Sequence, residues 1–251
     1  MNAKSFALAS AVLFAAFAAA AHGQLDKDVV TTSEGDLHIG FLGHGSLMFT
    51  FNDIVVYVDP LSGMADYAAH QADLVLITHE HGDHLDPKAI ALLRKDGTVV
   101  IAPEKCASAV GACVVMRNGD TQTAAGLKIE AVPAYNIVHL RGNGQPYHPK
   151  GVGNGYVVTF GDKRVYIAAD TENIPEMKAL KDIAVAFLPM NLPYTMSPEM
   201  VADAARAFRP GILYPYHYGE TDTSRLVELL KDEKDIDVRI KRIYPPPAKK
   251  K

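Results

Sequence analysis

Cysteine is scarce in this 251-residue chain: Cys106 and Cys113 are the only two. In an exported protein they could pair, since oxidising compartments preserve disulfides. The loop they enclose is short, and pairing depends on a Cα separation that sequence does not give. The other reading is two small apolar side chains packed in the interior. Basic stretches are equally scarce. The formal net charge is −4, and the one lysine run, Lys249–Lys251, is the chain's tail. No basic stripe exists to neutralise a phosphate backbone, which excludes nucleic acid as the partner. Low-complexity linkers and internal repeats of solenoid period are missing too, which argues for one domain.

Charge is absent from Ser5 to Ala21, directly after Met1-Asn-Ala-Lys4. One basic residue, a short apolar stretch rich in Ala and Phe, and then small residues form the pattern of a secretory signal. We therefore expect residues 1–23 to be a cleaved signal peptide and residues 24–251 to be the mature, single-domain protein. The expected location is the periplasm or the exterior. The alternative is a membrane anchor, but the stretch is at the lower limit for spanning a bilayer. No stable membrane span is expected after cleavage.

What the chain does have is a concentrated cluster, Thr78-His79-Glu80-His81-Gly82-Asp83-His84, directly after the apolar run Leu74–Ile77. A short apolar run of this kind reads as a buried strand. His79 and His81 are two residues apart, so on an extended turn both can face one point. Asp83 and His84 can face a second point nearby. Glu80, between the two ligands, is expected to point away. Neutral imidazole and carboxylate are the donor set of zinc and similar divalent ions.

Alternating apolar patterns predict a meander at Leu37–Leu42, Ser46–Phe51 and Ile54–Val58, with Asn52-Asp53 as a turn. Further strands are expected at Thr98–Ala102, Cys113–Met116, Leu127–Val132, Ile183–Leu188, Ile212–Tyr214 and Val238–Ile243. A hairpin is expected at Tyr156–Phe160 and Arg164–Ala168. Helices are predicted at Pro87–Arg94 behind an Asp86 cap, and at Pro103–Val110, Pro175–Leu180, Pro198–Phe208 and Ser224–Glu233. Residues Tyr135–Asn154 form a long loop, and loops of that length usually carry function. The order predicts an α+β fold of two sheets packed face to face with helices outside, a four-layer αββα sandwich.

Four more polar residues end strands or sit in the long loop. Asp59 follows Ile54–Val58, Asp170 follows Val165–Ala169, His217 follows Ile212–Tyr216, and His148 lies in Tyr147–Gly151. Strand ends converge on one rim of a sheet, where sites are commonly built.

With these motifs in order, the sequence resembles the metallo-β-lactamase superfamily. His79–His84 matches its HxHxDH signature. Phe41–Ser46, Val58–Pro60, Pro133–Asn136, Ala169–Thr171 and Tyr216–Gly219 resemble the branch of L-ascorbate-6-phosphate lactonase-like and uncharacterised metal-dependent hydrolases. The resemblance implies two divalent ions, zinc foremost with manganese or iron as alternatives. His79 and His81 would bind the first, Asp83, His84 and His217 the second, and Asp170 would bridge them. The third ligand of the first ion would be His148, with His139 or Asn136 as the other choices. Many relatives carry His where Asn136 stands, and Gly where Ala169 stands. Asp83 and Asp170 are the expected catalytic carboxylates. Asp59 is expected behind a metal-bound imidazole, and His44, Asn136 and Lys150 near the substrate or the metal rim, with Tyr135 and Tyr194 as further anion-binding candidates.

Two ions sharing an anion would deprotonate a water between them, and the hydroxide would attack a carbonyl or phosphorus centre without a serine or cysteine nucleophile. The expected activity is hydrolysis of a small-molecule ester, lactone or phosphodiester. The alternatives are a metal- or ligand-binding module without turnover and a β-lactamase-type amide hydrolase. Self-association of the chain is compatible with the sequence.

Overall fold

The structure, a computed structural model, describes residues 25–243. The expected signal peptide and the lysine tail lie outside the described residues. Among the described residues no helix is long and apolar enough to cross a membrane.

Two seven-stranded sheets follow each other along the chain. The first runs β1 (Lys27–Thr32), β2 (Gly35–Gly43), β3 (Ser46–Phe51), β4 (Ile54–Val58), β5 (Leu74–Leu76), β6 (Val99–Ala102) and β7 (Val114–Val115), in that spatial order. The second holds β8 (Thr121–Ala124), β9 (Leu127–Ala134), β10 (Gly153–Phe160), β11 (Lys163–Ile167), β12 (Ile183–Pro189), β13 (Ile212–Tyr216) and β14 (Asp237–Val238), again in sequential order. Each sheet begins as an antiparallel meander and turns parallel where longer connections enter, from β4 onward in the first, by an irregular loop and then helices, and from β11 onward in the second.

The helices follow local rules. Helix α1 (Pro87–Leu93) starts on Asp86, whose carboxylate accepts from the Lys88 and Ala89 amides, with Pro at the first turn. A 3₁₀ turn, Glu104–Cys106, leads into α2 (Ala107–Val110), which Gly111 ends at φ 79°. Helix α3 spans Pro175–Lys178, α4 Pro198–Phe208 and α5 Ser224–Leu230. Ser197 caps α4 by accepting from the Met200 amide.

The core has three apolar layers. Between the sheets, Phe41, Phe49, Phe160, Phe187 and Tyr214 pack ring to ring, with Phe41 and Tyr214 centroids 5.1 Å apart. Outside the first sheet, Val75, Ile77 and Val100 pack against Ile90 and Leu93 of α1. Outside the second, Ala186 and Leu188 pack against Val201, Ala205 and Leu226 of α4 and α5. This is the expected αββα sandwich.

The expected meander, hairpin and helical order are all present. Two details differ, and one open alternative is decided. β1 and β8 were not anticipated: both are edge strands, β1 burying only Val30 and Thr32 and β8 no side chain fully, so apolar alternation is weak. The strand expected at Val238–Ile243 is only Asp237–Val238, paired with Ile212 and Leu213; further along β13, Pro215 has no N–H with which to continue the ladder. Cys106 and Cys113 are free thiols, the first buried beneath the first sheet's helices.

The sheets are joined at one end. The Tyr156 hydroxyl donates to the Ile77 carbonyl at 2.7 Å, and the Asn154 amide donates to the Thr78 carbonyl at 2.9 Å. A Cβ on Gly153 would lie 3.2 Å from His79 Cβ, so the two sheets meet closely where the histidine cluster begins.

Candidate metal centre

Asp59, Thr78-His79, Asp170 and His217 follow β4, β5, β11 and β13, at the carboxyl ends of strands that pair in parallel. Asp170 is nearly fully buried at the centre. Its carboxylate lies 3.2 Å from His148 Nε2, 3.5 Å from His84 Nε2, 3.6 Å from His217 Nε2 and 3.9 Å from His79 Nε2.

Two donor sets adjoin it. In the first, His81 Nδ1 is 3.2 Å from His79 Nε2 and 3.2 Å from His148 Nε2. In the second, His84 Nε2 and His217 Nε2 face each other at 3.1 Å, and Asp83 and His44 join them. Asp83 Oδ2 is 3.9 Å from His217 Nε2 and 3.0 Å from His44 Nε2.

The outer nitrogens are accounted for. His84 Nδ1 donates to Asp59 at 2.7 Å. The Thr78 hydroxyl donates to the same Asp59 oxygen at 2.6 Å, which leaves it to accept from His79 Nδ1 at 2.9 Å. His148 Nδ1 donates to Asn136 Oδ1 at 2.8 Å. Each of these three imidazoles is thereby left with an Nε2 lone pair aimed inward. Lone pairs that face one another cannot all be satisfied by mutual hydrogen bonds, and buried Asp170 Oδ1 has no hydrogen-bond partner. A cation resolves both, so the residues present fit a divalent metal.

The electrostatics agree. Burial holds His79 well below the usual imidazole range and pulls His217 down to about 4, so both are neutral and have a lone pair to offer. His84 is the exception: burial disfavours its charge, but the Asp170 and Asp59 carboxylates outweigh this and raise that group to about 9, so a metal at its Nε2 would take the place of a proton. Burial would raise Asp170, yet the His217, His84 and His148 imidazoles hold its carboxyl well below the usual range. Backbone strain gathers here as well. His44, Asp59, Ala169 and His217 all have φ between 44° and 60°, a region L-residues seldom occupy.

The expected site residues that the structure brings together are His44, Asp59, His79, His81, Asp83, His84, His148, Asp170 and His217. Asn136 stands behind His148. It also donates to Glu172 at 3.0 Å and to the Tyr194 carbonyl at 2.9 Å. His139 is turned away from the donor sets, with Nδ1 2.8 Å from Glu172. Glu80 points outward and pairs with Lys105, as the alternation implied. Lys150 requires correction. Its ammonium pairs with Glu176 at 2.7 Å and with the Tyr135 hydroxyl at 3.2 Å, so its charge is committed away from the cluster.

Sequence reasoning did not single out Thr78, Glu172 or Arg141. Glu172 is fully buried and accepts three consecutive amides, from Ile137, Val138 and His139, each at 2.7 Å. It fixes the loop that carries Asn136. Its place two residues after Asp170 is the one signal in the sequence that points to it.

This layering, with donors at the strand ends between two sheets, is the metallo-β-lactamase fold. A metallo-β-lactamase fold protein from Bacillus subtilis superposes with a TM-score of 0.62 at 13% identity, covering 78% of this chain and 87% of that one. Residues 38–217 match the β-lactamase superfamily domain, and the chain belongs to that family. A UPF0173 metal-dependent hydrolase of Methanopyrus kandleri is 33% identical over 195 residues, covering 73% of this chain and 84% of that protein. A crystal structure from Parabacteroides distasonis, provisionally described as a metal-dependent hydrolase, is 52% identical with a TM-score of 0.83, covering 88% of this chain and all of that one.

Proposed function

We propose that this protein is a metal-dependent hydrolase that holds two divalent ions, zinc foremost, with manganese or iron suited to the same donors. The observation that carries the reading is the pair of adjoining donor sets around one buried, partnerless carboxylate oxygen of Asp170. Membership of the β-lactamase superfamily and the hydrolase names of relatives support it.

His79, His81 and His148 would hold the first ion, and Asp83, His84 and His217 the second, with Asp170 shared. When bound, such ions polarise a carbonyl or phosphoryl oxygen and bring the pKa of a water toward neutrality. The protein's own groups do the rest. Asp59, Thr78 and Asn136 fix which imidazole nitrogen points inward. Asp170 supplies the shared negative charge. Asp83, with its side chain half exposed, and His44 flank the second donor set. A thiol nucleophile has no support: burial pushes the Cys106 thiol up to about 12 and raises that of Cys113 as well. The substrate class is a small ester, lactone or phosphodiester. Export to the periplasm or exterior rests on the uncharged stretch Ser5–Ala21.

The test is elemental analysis of the purified mature protein, joined to a panel of chromogenic esters and phosphodiesters with and without chelator. About two ions per chain and chelator-sensitive turnover are the expected result. Tight metal binding without any turnover would point to a binding module. No metal, even after zinc or manganese is added, would overturn the reading. Mass spectrometry of the mature amino terminus checks export, and an intact Met1 in the membrane fraction would sink that part.

A further inference from the structure

We propose that Arg141 is the group that selects an anionic substrate: at the mouth of the first donor set, its guanidinium and the outer nitrogen of His81 together grip a carboxylate or phosphate substituent. The inference rests on the metal-dependent hydrolase reading and names its substrate class.

The local fold delivers Arg141 to that point. The segment Leu140–Pro146 closes on itself through a bridge between its ends, with the Arg141 amide donating to the Gln145 carbonyl at 2.7 Å and the Gly144 amide donating back to the Arg141 carbonyl at 2.8 Å. The side chain then folds over the Tyr147 ring, its guanidinium carbon 5.0 Å from the centroid, and donates to the Tyr147 carbonyl at 3.1 Å. That brings Nη2 to 3.3 Å from His81 Nε2. An exposed arginine is usually free to move through solvent; this one is held by a ring, a carbonyl and an imidazole beside the recess lined by His79, His81, His148 and Asp170.

The contact with His81 is incomplete by itself. His81 turns Nδ1 toward His79 and His148, which is the lone pair a metal takes. Its single proton then sits on Nε2. Guanidinium and Nε2–H are both donors, so neither satisfies the other. One acceptor oxygen placed between them satisfies both, with charge-assisted strength from the arginine. The charge around the recess sharpens the point. Lys105 is paired with Glu80, Arg117 with Glu104 and Lys150 with Glu176. Among the described residues no carboxylate pairs with Arg141, which leaves it as the cation free to meet an incoming anion beside the donor sets.

The test is calorimetric titration of the zinc-loaded protein with inorganic phosphate and, separately, with succinate, at matched metal content by elemental analysis. Wild type, Arg141→Gln and Arg141→Lys are compared. The expected result is a loss of about 10-fold or more in affinity for at least one probe in Arg141→Gln, with a smaller loss in Arg141→Lys, which keeps the charge but not the fork. The probe that suffers identifies phosphate or carboxylate as the group read. Equal affinities across the three proteins overturn the inference, as does a wild type that binds neither probe. Loss of metal in Arg141→Gln at unchanged fold also overturns it, because Arg141 would then serve His81 rather than substrate. The readout needs no turnover. If no ester is cleaved while probe binding still depends on Arg141, the hydrolase reading fails and the anion site stands. If esters are cleaved and Arg141 is indifferent, the reverse holds.

Discussion

Asp59 Oδ2 lies 2.7 Å from His84 Nδ1, and through Thr78 the same oxygen also governs His79. One buried carboxylate thus orients an imidazole in each donor set, directly in one and through a hydroxyl in the other. We expect Asp59→Asn to weaken both metals by about 10- to 100-fold, the usual loss when an outer hydrogen-bond partner is removed. Asn keeps the volume and tolerates φ 44° at this position, so the fold should survive. Thr78→Val should weaken the first metal alone. Competition against a graded set of chelators, with circular dichroism as the fold control, measures both. Unchanged affinity in Asp59→Asn would refute the brace.

A second prediction concerns Gly45. A Cβ there would sit 2.8 Å from His84 Cε1 and 3.5 Å from His217 Cδ2. His84 cannot swing aside, because Asp59 holds Nδ1 and the cluster surrounds the rest of the ring. Gly45→Ala should therefore disturb the second donor set and spare the first. We expect one of two metals to be lost or weakened by about 10-fold, with an overpacking cost of about 1–3 kcal/mol in stability. Metal stoichiometry and a thermal melt report the two effects separately. Retention of both metals at wild-type affinity would mean that the turn shifts instead of the imidazole.

These two relationships also show what sequence alone can carry. The strands before Asp59, His79, Asp170 and His217 were legible, because each is an unbroken apolar run that ends on a polar residue. The four-layer order was legible for the same reason. Contacts between distant segments were not. Thr78 looks like an ordinary strand-end residue until Asp59 arrives 19 positions away in sequence. Glu172 reads as a surface acid until the 137–139 amides fold onto it. Lys150 seemed suited to an anion, but Glu176 lies against it. Local spacing can show which residues share a strand end; it cannot show which partner a long side chain meets. Ala169 illustrates a middle case. Its φ of 60° gives a physical reason for glycine at that position, and alanine occupies it only under the constraint of the surrounding site.

The first strand offers a pH-dependent prediction. Asp28 on β1 meets Lys241 at 2.8 Å and the Tyr214 hydroxyl at 2.8 Å, tying the edge strand to β13 and the segment after β14. Partial burial alone would raise its carboxyl; the hydrogen bonds from Lys241 and Tyr214 outweigh this and lower it from 3.8 to about 2. A carboxyl depressed by folding stabilises the protein fully above its unfolded pKa and stops doing so as pH falls through its folded value. Wild type should therefore lose part of its melting temperature between pH 4 and pH 2 that Asp28→Asn has already lost at pH 6. The difference between the two melting profiles isolates this group from other carboxylates. Parallel profiles over that interval would show that the contact adds no stability.

The last prediction separates the shared carboxylate from the contested third imidazole. Asp170 stands within 3.9 Å of four imidazole nitrogens from His79, His84, His148 and His217. Asp170→Ala removes the one anion common to both donor sets, so at least one metal should be lost and turnover should fall by more than about 100-fold, beyond what an outer-shell loss alone produces. His148 and His139 both lie in the loop after β9 but face different partners: His148 Nε2 faces His81 Nδ1 and Asp170, whereas His139 Nδ1 faces Glu172. His148→Ala should weaken the first metal strongly, and His139→Ala should leave both metals in place. Metal affinity measured side by side decides the matter. Equal loss in the two variants would mean that the loop as a whole, rather than the His148 lone pair, completes the first donor set.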